Sequence, residues 1–88
     1  MSHTYEWHVA AWKSDPDNPK VPIVLAQWWT DFENQTHVMA QAAMAMSGAQ
    51  TVSVSNLLEP TKSRTFKLFA ALPPQWQEIP KSEPRHDR

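Results

Sequence analysis

The chain has no cysteine and a single glycine among its 88 residues. Without cysteine there is no disulfide to reinforce a small core, no thiolate metal site and no thiol nucleophile. One glycine cannot supply a P-loop or a dinucleotide fingerprint, which need several permissive backbone positions. Most nucleotide-dependent enzymes of the common kinds are thereby excluded. Charge of one sign is also missing: 8 Lys and Arg against 9 Asp and Glu leave a formal net charge of −1. No global field draws such a chain to nucleic acid or to an anionic membrane. No apolar run approaches the ~18 residues of a membrane span. Residues 1–12 lack a basic segment followed by an apolar run, so no secretory signal is expected. No internal repeat is present. The expectation is a soluble cytoplasmic protein without a cofactor.

What is abundant is tryptophan, with 5 residues, and proline, with 8. A chain this short forms one small domain and buries only roughly 60–65% of its unfolded surface, so not every indole fits inside. Residues 21–48 hold the longest apolar run, and the remaining segments are read around them. Val21, Ile23, Val24 and Leu25 suit a pleated surface and predict a buried strand. Thr30 followed by Glu33 has the spacing of a capping box. Asp31 and Glu33 complement the positive end of a helix dipole. Phe32, Gln35, Met39, Ala42, Ala43 and Met46 then recur at helical spacing, with His37, Gln41 and Met44 opposite. Gly48 sits where a left-handed closing residue is wanted. The spacing predicts a helix over about 31–47. A single helix from Pro22 to Ser47 is the rival reading, and the β-branched start and the internal cap weigh against it.

Residues 4–12 alternate and predict a first strand, followed by a proline-broken hairpin loop at 13–20. Residues 51–55 alternate valine with hydroxyls, 59–63 read as a turn, and 64–70 alternate again. The predicted fold is α+β, in the order β-β-α-β-β, with a four-stranded sheet and one helix on one face. If the second and third strands are parallel, the helix is a crossover between them. Residues 1–72 form the domain, and 73–88 read as an extended or disordered proline-rich tail. Trp76 and Ile79 are the large apolar groups of that tail. They either clip it onto the domain or serve as a partner motif.

Adjacent residues in a strand point to opposite faces, so Trp28 and Trp29 must separate. Alternation assigns Ile23, Leu25, Trp29, Val52, Val54, Phe66 and Leu68, with Trp7 and Val9, to the helix side. The open face then presents Trp12, Trp28, Leu57 and Phe69, with Val24 and Ala26, among His8, Thr51, Ser53, Ser55 and Lys67. Aromatics framed by polar groups have the composition of a protein contact. Trp12, Trp28, Phe69, Leu57 and His8 are therefore the candidate partner-binding residues, and a homodimer is the favoured assembly.

Catalytic and metal signals are weak. His3, His8, His37 and His86 show no paired ligand spacing. The acidic pairs Asp15/Asp17 and Asp31/Glu33 are accounted for by the loop and the helix start. A small enzyme would have to use His8 with Glu6 on one strand face. Lys62, Arg64 and Lys67 form a short basic run that could neutralise phosphates beside stacking aromatics. The leading expectation is a non-catalytic interaction protein that blocks or bridges a larger protein partner. Accessory inhibitors of phages and mobile elements, directed at host systems, are often of this size. A binding module for single-stranded nucleic acid or a nucleotide-like ligand is the alternative.

Overall fold

The computed structural model describes residues 3–80. It is an α+β arrangement with one helix and one antiparallel sheet, whose elements are β1 (Trp7–Ser14), β2 (Pro22–Thr30), α1 (Glu33–Met44), β3 (Thr51–Asn56), β4 (Arg64–Ala71) and β5 (Pro74–Ile79). A short 3-10 turn, Pro60–Lys62, precedes β4.

The sheet has five strands, not four, and its order is β2-β1-β3-β4-β5. β1 lies inside the sheet, antiparallel to both β2 and β3. β2 and β3 are thus parallel but separated, and α1 carries the chain across β1. Composition suits the interior place: Val9, Ala10 and Ala11 are all fully buried. The fifth strand is built from residues expected to begin the tail. Pro74 is tolerated because β5 is an edge and proline is its first residue. Trp76 opposite Leu68 and Glu78 opposite Phe66 tie the strand to β4. Residues 81–88, including His86, lie outside the described residues.

The strand-then-helix reading of 21–48 holds, and the continuous-helix rival does not. The helix is shorter than expected and starts differently. Thr30 is still a sheet residue, paired with Trp7. Its Oγ accepts from the Phe32 N–H at 3.1 Å and donates to Gln35 Oε1 at 2.6 Å, so no capping box closes on Glu33. Phe32 is the cap residue and supplies no side-chain bond. After the last turn Gly48 takes a left-handed φ of 86°.

The helix also sits rotated from its predicted orientation. Thr36, Ala40 and Ala43 are the buried positions. Met39 and Met44 pack on the core, while Phe32 is 62% exposed. Small residues suffice there because the sheet supplies the bulk: Trp7, Val9, Val52 and Val54 form the buried cluster, with Trp28, Phe66 and Trp76 packed against it.

A candidate protein interface on the uncovered sheet face

α1 lies over β1, β3 and β2, on one side of the sheet. The register fixes what the other side shows. His8 stands between Trp29 and Ser55, Ala10 between Gln27 and Ser53, and Trp12 between Val24 and Thr51. Thr51 in turn faces Lys67, and Lys67 faces Gln77.

Trp29 is 47% exposed and Phe69 is 61% exposed. The His8 ring lies against Trp29 with centroids 5.0 Å apart. His8 Nε2 is 2.9 Å from Gln27 Oε1, which holds the imidazole beside the indole. The Trp12 indole is half-buried. Its Nε1 donates to Ser53 Oγ at 3.0 Å, so the ring leans along β3. The Ser53 cross-strand partner is Ala10, whose burial on this face fits that cover. Thr51, Ser53, Ser55 and Thr65 interleave hydroxyls with the rings.

The expected assignment of the two indoles is reversed. Trp28 packs on the core and Trp29 faces outward. The cause is a register shift between Ala11 and Trp12: their β2 partners are Ala26 and Val24, which leaves Leu25 as the extra residue. A bulge breaks strict alternation, so Leu25 and Ala26 are both half-buried while Val24 stays exposed. The remaining candidates divide. Trp12 and His8 lie on the open face; so does Phe69, the extra residue at a second register shift in β4, where it shares a shallow groove with Lys67, Gln77 and Ile79. Leu57 is exposed in the turn after β3, where its N–H donates to the Glu6 carbonyl at 2.7 Å. Trp76 packs on the helix side rather than folding over the open face, and Ile79 lies opposite Thr65. Trp29 and Gln27 were missed. Ile23, Val24, Leu25 and Ala26 are apolar without a break, so nothing in the local pattern marked the extra residue.

The basic trio does not converge. Arg64 is opposite Val54 and faces the helix side, 5.1 Å over the Phe66 ring. Glu78 grips its guanidinium at 2.6 and 2.9 Å, and this carboxylate raises the Arg64 pKa against the opposing effect of burial. Lys62 pairs with Glu59 at 3.2 Å. Both cations line a groove of about 480 Å³ beside α1, with His37 across from them. Only Lys67 shares the face with Trp12 and Phe69.

The proposed His8–Glu6 pair is not formed either. Glu6 Oε2 accepts from Asn56 Nδ2 at 3.1 Å, and His8 is held by Gln27. Asn56, 1% exposed, also accepts the N–H groups of Leu58 and Glu59, which organises the turn. Asp15 folds its own loop by accepting the Asp17 N–H. Among the described residues no three His, Asp or Glu side chains converge on a metal-sized site, and no helix is long and apolar enough to cross a membrane.

Comparison with family models, curated proteins and solved structures finds no match to this chain.

Proposed function

We propose that this protein is a non-catalytic interaction module that binds a larger protein partner through the open sheet face, blocking or bridging it. The observation that carries the reading is the pair Trp29 and Phe69, both exposed on a face framed by hydroxyls and amides. Large aromatics with a polar surround are what protein contacts use as anchors. Trp12 and His8 act as supports: hydrogen bonds to Ser53 and Gln27 hold their rings, which lowers the entropy lost on docking. The small size suits an accessory inhibitor of the phage or mobile-element kind, working in the cytoplasm.

The test is capture from the native host with the wild-type chain beside Trp29→Ala and Phe69→Ala. Anchor residues cost about 2 kcal/mol or more on truncation, so each variant should lose the partner at matched concentration while staying folded. A partner held equally by the double variant would overturn the reading. The nucleic-acid alternative leans on Lys67 alone beside Trp12 and Phe69. It would show as binding that falls steeply with salt and disappears in Lys67→Ala.

A further inference from the structure

The two edges of the sheet are guarded unequally. β5 begins with Pro74 and carries Glu78, clamped by Arg64. β2 runs for 9 residues, PIVLAQWWT, without one charged side chain. Edges are normally protected by charge, proline, shortness or twist. β2 has proline only at its first position and a bulge in its first half. Among the described residues no strand lies along its outer side.

The direction of its backbone groups follows from β1. The Glu6 and Trp12 carbonyls accept from Leu57 and Gln50, on the β3 side. Backbone groups alternate along a strand, so Trp7, Val9 and Ala11 turn theirs toward β2. Their partners Thr30, Trp28 and Ala26 turn back toward β1. The N–H and C=O groups of Gln27 and Trp29 are left pointing outward.

We propose that β2 pairs antiparallel with β2 of a second copy of this chain. The register sets Gln27 against Trp29 of the other copy, with the two Trp28 residues astride the two-fold axis. About four backbone hydrogen bonds close this pair. A shift toward the strand start runs into the bulge at Leu25, and a shift toward its end runs into Phe32 and the helix. Exposed Val24 of one copy comes near exposed Phe32 of the other at each end. A second copy is the occupant because a charge-free strand meets itself without repulsion. Among the described residues, two-fold pairing also leaves only the guarded β5 edges outside, so assembly stops at two copies rather than growing into a fibre. The edge uses the outward backbone groups of Gln27 and Trp29, whose side chains lie on the open face, so amide exchange along β2 is what separates this proposal from the function above.

The experiment uses the full chain. Sedimentation across a concentration series should show a dimer. Hydrogen exchange should slow at the Gln27 and Trp29 amides as concentration rises. Gln27→Lys puts a guarding charge on the edge and should weaken the dimer about tenfold or more, while Gln77→Lys on β5 should not. In the cysteine-free background, mixed Gln27→Cys and Trp29→Cys chains should cross-link to each other in preference to themselves. A monomer at every concentration overturns the proposal. So does a dimer that is lost with Phe69→Ala but keeps its mass and fast β2 exchange in Gln27→Lys.

Discussion

Trp28 packs against the buried cluster, and Trp29 stands half in solvent beside His8, so equal truncations at adjacent positions have unequal costs. Trp28→Ala should lower the unfolding free energy by about 3 kcal/mol, the size of an aromatic-to-alanine cavity. Trp29→Ala should cost about 0.5 kcal/mol or less, as surface changes do. Urea denaturation of the two variants measures both, and equal losses would mean that the faces are wrongly assigned. A second residue-scale expectation concerns acid. Asp31 accepts from His3 Nε2 at 2.6 Å and from the Glu6 N–H at 3.1 Å. The His3 hydrogen bond, chiefly, holds its carboxyl below the ordinary value of 3.8, against a smaller upward push from burial. A carboxyl whose folded pKa is depressed stabilises the fold above its unfolded pKa. That contribution is lost as pH falls through the lower folded value. Stability should therefore drop below pH 3.8, and Asp31→Asn should flatten that part of the profile when unfolding is followed against pH.

At the scale of elements, β5 is the one whose existence alternation could not reveal. Its sequence, PQWQEI, has two apolar side chains beyond its proline and two glutamines that face solvent, so it reads as tail. What orders it is a partner: the Trp76 ring packs on a core already built by other strands, and Glu78 meets Arg64. A chain ended after Leu72 should accordingly lose about 3 kcal/mol through the missing Trp76 alone. Phe66 and Leu68 should become solvated, read as a lower thermal midpoint and faster exchange along β4. β3 and β4 were legible because valine, phenylalanine and leucine alternate with hydroxyls and cations. The helix was legible in place, though it is shorter than its predicted span. Its rotation was not, because which stripe faces inward depends on how much volume the sheet has already filled.

At the scale of the whole molecule, one α-helix and five strands among the described residues leave one sheet face bare. The sequence alone determined that the chain would make a small α+β unit without disulfides, that 21–30 would be strand before helix, and that the neighbouring indoles would part. These follow from local chemistry: side-chain period, β-branched content and proline placement act over a few residues. Tertiary structure alone decided which indole is outside, where β1 sits and how many strands there are. Each of those depends on pairing between segments distant in the chain. One extra residue at a bulge, or one edge finding a neighbour, exchanges faces or adds a strand without altering any local preference.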